Sequence, residues 1–264
     1  SQAPFLLDKT RTGYGYGNGT LIDALFHDGL RDAYDGNAMG VAADLCGETC
    51  NVPREAQDEF SIESYRRAQG SIENGAFAQE IVPVTIKGRK GDTVVDTDEE
   101  PPRTNFDKIP NLRPVFSKEG TVTAANASTI NDGAAALVVA SEAWAEANGK
   151  TPLVKILATA QHSQKPVEFT TAPIGAIEKV LDKAGLTLED IDLFEINEAF
   201  AVVALAAQDA LGIPHEKLNV RGGSVAVGHP IGASGARILV TLLHAMADRG
   251  AQTGLATLCL GGGN

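Results

Sequence analysis

The stretch I-D-L-F-E-I-N-E-A-F-A-V-V-A-L-A-A-Q-D-A-L, residues 191–211, decides how the chain folds. Ile191 to Ile196 reads as a short apolar strand, and Asn197 to Leu211 as a helix rich in Ala, Val and Leu, so Asn197 sits at the joint. The grammar repeats downstream. Leu218 to Val227 reads as a strand leading into a helix from Pro230 to Arg249, and Gly254 to Leu260 as a strand running into Gly261 to Gly263. Upstream, Leu153 to Thr159 predicts a strand and Pro173 to Ala184 a helix stopped by Gly185. Strands alternating with helices predict an α/β fold, a sheet covered on its faces by helices.

Residues 1 to about 128 have a different, loop-rich texture, with Gly and Tyr between Gly13 and Gly19, an acidic run from Asp96 to Glu100, and Pro101-Pro102. Within it, helical spacing marks Thr20 to Tyr34 and Arg54 to Asn74, the second opening with Pro53-Arg54-Glu55. Ile81 to Lys87 alternates like a strand. After Asn131-Asp132-Gly133 the pattern becomes regular, and Asp132 to Ser141 is Ala-rich and apolar.

With 43% hydrophobic and 21% charged residues over 264 positions, the chain has enough apolar content for a sizeable core in one large unit or two smaller ones. A formal charge of -12 argues against a duplex nucleic-acid partner, which wants a basic face. A polyanionic small substrate would need a local basic patch; Lys87, Arg89, Lys90 and Arg103 supply one, or else form a solvated charged loop. Three cysteines, Cys46, Cys50 and Cys259, argue against a disulfide framework and for a reducing, cytoplasmic setting, an organelle being the alternative. Cys46 and Cys50 lack the second ligand pair of a metal site. No apolar run approaches the roughly 20 residues that span a bilayer.

In open α/β sheets ligands gather beyond the carboxyl ends of the strands. Asn197, His229 and Cys259 close three successive strand units and would converge there as a Cys–His–Asn site, with Gly261 to Gly263 offering N–H groups to an oxyanion. Each residue also has a structural reading. Asn197 suits an N-cap, His229 before Pro230 suits a helix start, and Cys259 suits a buried strand end. The Gly228 to Gly235 segment lacks both G-x-G-x-x-G and the Lys-Ser/Thr of a P-loop, which weakens a nucleotide-phosphate reading.

N-E-A-F at Asn197 to Phe200, G-H-P-I-G-A-S-G-A-R at Gly228 to Arg237 and C-L-G-G-G at Cys259 to Gly263 together resemble the thiolase family. The likeness continues through Asp58-Glu59-Phe60, Glu80 to Pro83, Leu112-Arg113-Pro114, Gly120 to Ser128 and Ile130 to Ala136, and is strongest toward acetyl-CoA acetyltransferases. It implies a thiolase fold, layered α-β-α-β-α, with residues 1–128 as a loop and coenzyme A-binding domain, 129–150 as the end of the N-terminal domain and 151–264 as the C-terminal domain.

The implied chemistry is Claisen condensation of two acetyl-CoA to acetoacetyl-CoA and CoA, and the reverse thiolysis. A 3-ketoacyl-CoA thiolase of broader chain length and a non-catalytic CoA-binding protein are the alternatives. CoA thioesters are the substrates, and no metal or other cofactor is implied. By the resemblance, His229 is the base, Asn197 holds an oxyanion-hole water, Cys259 moves the α-proton and Gly261 lends an N–H. Ser128, Phe116, Met39, Ala199 and Phe200 line the pantetheine channel, Arg103 lies near the adenine end, and Phe169 shapes a short acyl pocket. Many relatives carry H-M-G where this chain has Ala38-Met39-Gly40. The resemblance also puts the nucleophilic cysteine before the segment corresponding to Ser1 and a further strand after Gly263. The chain is accordingly expected to lack the N-terminal half and to be inactive alone. A homodimer or homotetramer is implied for the intact protein, Thr10 to Thr20 resembling part of a tetramer-forming loop.

Overall fold

A computed structural model describes residues 2–264. The N-terminal arm pairs β1 (Phe5–Leu7) antiparallel with β2 (Leu21–Asp23), Leu6 opposite Ile22. A π-helical turn, Leu25–Leu30, follows. The helix expected over Thr20 to Tyr34 is therefore a strand and a short turn. Leu21 to Asp23 joins the ladder with β1, and the Asp23 carboxylate accepts from the Leu25 N–H at 2.9 Å, closing a local turn that competes with a continuous helix.

Helices α1 (Met39–Thr49) and α2 (Arg54–Glu73) come next, the second starting behind Pro53 as its spacing predicts. Beside the buried Phe60 and Tyr65, α2 buries a stripe of small residues, Ser61, Ser64, Ala68 and Ser71, recurring every three or four residues. That lets neighbouring backbone come close. A side chain added at Gly222 would put its Cβ 2.4 Å from the Ser64 carbonyl. The expected strand at Ile81 to Lys87 narrows to β3 (Val84–Ile86), which pairs antiparallel with β4 (Thr93–Val95) in an exposed hairpin. A short α3 (Glu100–Arg103) and a 3-10 turn, Phe106–Asn111, lead to the Gly120 to Ser128 segment.

One sequence expectation fails beyond this point, the strand over Leu153 to Thr159. Asp132 to Ser141 takes up no regular element, and Leu153 to Thr159 forms no strand, with α4 (Glu142–Ala147) between them. Their apolar side chains stand in the open, Val138 97% and Leu153 84% exposed. A strand is defined by its ladder, and among the described residues no segment pairs with either stretch.

The core is centred on the last hundred residues, with Ala43 and Cys46 of α1, Phe60, Tyr65 and Ala68 of α2 and Val122 packed into the same cluster. A 3-10 turn, Pro166–Thr171, enters α5 (Ala172–Ala184), which stops at Gly185 in the left-handed conformation as expected. Strand β5 (Leu193–Ile196) is buried on both faces, runs into α6 (Ala201–Leu211), and pairs in parallel with β6 (Gly254–Thr257). Phe194 and Ile196 share one cluster with α6, Ile177 and Leu181, while Leu193 packs on Leu242, Ala245 and Met246 of α8 (Ser234–Arg249). Parallel strands thus lie between α8 on one face and α5 and α6 on the other, with α1 and α2 outside α6.

The strand expected from Leu218 to Val227 is a single parallel bridge, Leu218 to Phe194, followed by a one-turn helix, α7 (Ser224–Val227). Asn219 explains the stop. It sits at φ +44°, and its side-chain amide takes the ladder's place, accepting from Ile196 N and donating to Ile196 O, each at 2.8 Å. Helix α8 begins four residues after Pro230, because Ala233 N and Ser234 N both turn back onto the Pro230 carbonyl first.

Candidate active site

Asn197 and the segment leading to Cys259 leave two paired strands side by side, whereas His229 follows the one-turn helix α7 and not a strand. Register puts Ile196 beside Thr257, and Asn197 N donates to Thr257 O at 3.0 Å, so Asn197 leaves its strand where the neighbouring strand approaches Cys259 two residues on. His229 comes from the segment after α7, its N–H donating to Thr129 O at 3.0 Å. That contact joins it to the residue after Ser128, whose hydroxyl and N–H both donate to Ala199 O, at 2.8 and 3.1 Å. Phe200 bridges Ala127 and meets Phe116 edge-on at 6.2 Å between ring centroids. Phe116 covers Gly40, and Met39 lies against Gly261. These contacts connect Ser128, Ala199, Phe200 and Phe116, and, through the neighbours Met39 and Gly40, Gly261. Met39 and the buried Phe169 share the wall of a small recess with Asp32, Asn37 and Val167. Arg103 stands apart, exposed and ion-paired with Glu99 at 3.1 Å. Lys87 likewise pairs with Asp92 inside the hairpin.

Asn197 is not an N-cap. Helix α6 starts at Ala201 behind Phe200, with no side-chain cap, and Asn197 is buried with its Oδ1 accepting from the Ser224 hydroxyl at 2.5 Å. Its Nδ2 has no protein partner although it is buried. Such a donor is costly to leave unmet, so it suits a site that supplies an acceptor.

His229 is not the helix start either. Its Nδ1 lies 2.6 Å from the Ser234 hydroxyl, which itself lies 3.1 Å from Pro230 O. The hydroxyl has one proton. With that proton on the Pro230 carbonyl, Nδ1–H is the donor to Ser234, and Nε2 keeps its lone pair. Burial, and then the nearby Arg237 guanidinium, pull the imidazole down to about 4, so it is a neutral base at physiological pH. Cys259 is buried and its thiol is pushed up to about 12 by that burial, so it rests protonated. Cys46 is also buried and pushed up to about 12, chiefly by burial, with Thr170 and Cys50 beside it. After Cys259 the chain turns sharply: Gly263 has φ +97°, and a Cβ there would fall 2.2 Å from Gln164 O, so only glycine fits.

Behind these groups lies a buried polar frame to which the sequence motifs assigned no roles. Glu198 accepts from Ser64 Oγ at 2.7 Å, Asn219 Nδ2 at 2.8 Å and Val225 N at 3.2 Å, fastening α2 and α7 to the strand end. Burial raises its carboxyl pKa, and burial likewise raises Glu195 to about 8. Ser234 and Arg237 were visible only as five and eight residues after His229, on one face of a helix. Ser224 gave no signal. Among the described residues no helix is long and apolar enough to cross a membrane.

The family description "Thiolase, N-terminal domain" matches residues 1–143, and "Thiolase, C-terminal domain" matches residues 150–264. A probable acetyl-CoA acetyltransferase of Dictyostelium discoideum is 53% identical over 264 residues, covering all of this chain and 64% of that protein. The acetyl-CoA acetyltransferase of Escherichia coli K12 is 51% identical over 265 residues, covering 100% of this chain and 67% of its own length. The crystal structure of the Bacillus anthracis acetyl-CoA acetyltransferase superposes with a TM-score of 0.95 at 41% identity, over 98% of this chain and 66% of that one. The chain thus spans about two thirds of the length of these relatives. Two family domains matched in order from one end to the other, on a backbone shared with a solved member, mean that this chain belongs to the thiolase family.

Proposed function

We propose that this chain carries the base, oxyanion and α-proton machinery of an acetyl-CoA C-acetyltransferase, the enzyme that interconverts two acetyl-CoA with acetoacetyl-CoA and CoA. The observation that carries this reading is the unmet buried amide donor of Asn197 beside the strand that leads to the buried, protonated Cys259 thiol, with a neutral His229 imidazole carried on the segment after α7. Relatives at about half identity bearing that name support the substrate.

In thiolysis, the Cys259 thiol gives its proton to the departing α-carbon. In condensation the thiolate takes that proton back, and a thiol with so high a pKa is a strong base once ionised. The Asn197 amide and the Gly261 N–H stabilise negative charge on thioester oxygens, and His229 Nε2 accepts the proton of the attacking thiol. Ser128, Phe116, Met39, Ala199 and Phe200 line the pantetheine path. Phe169 closes the acyl end, which favours a short chain; Phe169→Ala should tighten binding of longer acyl-CoA relative to acetyl-CoA.

None of the three cysteines within these 264 residues has the setting of an acyl acceptor. Cys46 and Cys259 are buried with thiols near 12, and Cys50 ends helix α1 on the surface. Acetyl-CoA should therefore bind the purified chain without acetylating it, and acetoacetyl-CoA thiolysis should be undetectable. Mass spectrometry decides: acetyl on Cys259 would make it the nucleophile and overturn its role as the α-proton carrier. Acetyl-CoA binding that ignores both His229→Ala and Asn197→Ala would favour a non-catalytic CoA-binding protein.

A further inference from the structure

Alternation along β5 turns Glu195 and Asn197 to the same side as Leu193, toward α8. Arg237, in the first turn of α8, meets them there. Its Nη2 donates to Ser224 Oγ at 2.9 Å and to Asn197 Oδ1 at 3.4 Å, and Ser224 Oγ donates its own proton to Asn197 Oδ1 at 2.5 Å. A guanidinium has five donors and no acceptor, so the amide cannot present its NH2 group to it. The oxygen must face Arg237 and Ser224, which leaves both N–H bonds of Asn197 Nδ2 on the far side, buried and unpartnered.

We propose that Arg237, acting through Ser224, is a positioning residue that fixes the Asn197 amide with its NH2 group toward the substrate, making the site select a hydrogen-bond acceptor such as a thioester oxygen or the water that binds one. The substrate half of this inference rests on the thiolase reading; the orientation half does not. Glu195 supports the arrangement. Its carboxyl group is 3.9 Å from Arg237 Nη1 and neither oxygen has a hydrogen-bond partner, so it leaves Arg237 free to bond Ser224 and Asn197. A carboxylate clamped bidentately on the guanidinium would have competed for the same donors.

The test uses the full 264-residue chain, 27.6 kDa, labelled with ¹⁵N. The side-chain NH2 pair of Asn197 is identified as the pair lost in Asn197→Asp, and acetyl-CoA is titrated in. The wild type should give one resolved pair that moves on acetyl-CoA addition. Arg237→Met and Ser224→Ala should each broaden or shift that pair before any ligand is added and weaken acetyl-CoA roughly tenfold, the equivalent of one lost hydrogen bond. Arg237→Lys, which keeps one donor for Ser224, should restore most of both. Circular dichroism separates these effects from unfolding, and Ser224→Ala serves if Arg237→Met does not fold. A wild-type pair left unchanged in both Arg237→Met and Ser224→Ala would overturn the relay. A pair that responds to those substitutions but not to acetyl-CoA would uphold the positioning and overturn the thioester as its target.

Discussion

Replacing Asn219 with alanine should cost this fold a large part of its stability. The side chain makes three hydrogen bonds of 2.8 Å: from Ile196 N to Oδ1, from Nδ2 to Ile196 O, and from Nδ2 to Glu198 Oε1. Ile196 and Glu198 have no solvent exposure, so water cannot replace the lost partners. Two stranded backbone groups at about 1 kcal/mol or more each, and a lost bond to a carboxylate at about 1.5 kcal/mol or more, give roughly 4 kcal/mol. The left-handed backbone at φ +44° adds about 1 kcal/mol for alanine. A total near 5 kcal/mol approaches the whole stability of many domains, about 5–15 kcal/mol. Urea unfolding followed by far-UV circular dichroism measures it. Asn219→Gly should recover only the backbone part, about 1 kcal/mol. Asn219→Asp should do no better than alanine, because it turns a carboxylate toward Ile196 O and Glu198. An Asn219→Ala midpoint shift worth less than about 1 kcal/mol at unchanged slope, or an aspartate variant as stable as the wild type, would refute the ladder-substitution argument.

Gly223→Ala would place its Cβ 2.3 Å from Glu198 Cδ; since Glu198 is held from three sides, thermal melting should show a loss on the order of 2–3 kcal/mol. Neutral His229 makes stability pH-dependent. The unfolded chain takes up a proton at the ordinary value of 6.5 and the folded one only near 4, so stability is full above pH 6.5 and declines as pH falls toward 4. His229→Gln should flatten that slope in midpoint-versus-pH curves, and an unchanged slope would count against the buried neutral imidazole. Iodoacetamide at neutral pH should modify Cys50 alone, with Cys46 and Cys259 reacting only after denaturation; early labelling of Cys259 on peptide mapping would contradict its burial.

The parts of the fold legible in the sequence are those whose stability is local or buried on all sides. Helix α2 has a proline start, α5 a glycine stop, and β5 a wholly buried setting, so periodicity and end signals suffice. Leu153 to Thr159 has the composition of a strand, but a ladder needs a second segment, and no count within the run can say whether one is alongside. Leu218 to Val227 misled for the opposite reason: a single side chain, Asn219, imitates a strand neighbour and ends the pairing. At the site, Asn197 and Cys259 were found because each follows a strand end, and His229 because the segment before it has the composition of a strand although it folds as α7. Ser224 and Arg237 were not singled out, because their contact crosses 13 residues and depends on how α7 and α8 are set against the sheet.

That setting is governed by two neighbouring residues that point opposite ways. Asn197 turns toward α8 and receives the Ser224 hydroxyl; Glu198, the next residue, turns toward α2 and receives Ser64 and the Val225 N–H. The four-residue helix α7 is too short to hold its place by its own hydrogen bonds. It is gripped at Ser224 from one side and at Val225 from the other, and His229 follows directly on its end. A buried carboxylate is a poor source of net stability, since its desolvation offsets most of what its donors return. Glu198 makes physical sense as a specifier of geometry: three donors from three parts of the chain can all be satisfied only when α2, the Asn219 turn and α7 occupy one relative position, which ties Asn197 and the segment that carries His229 to one frame.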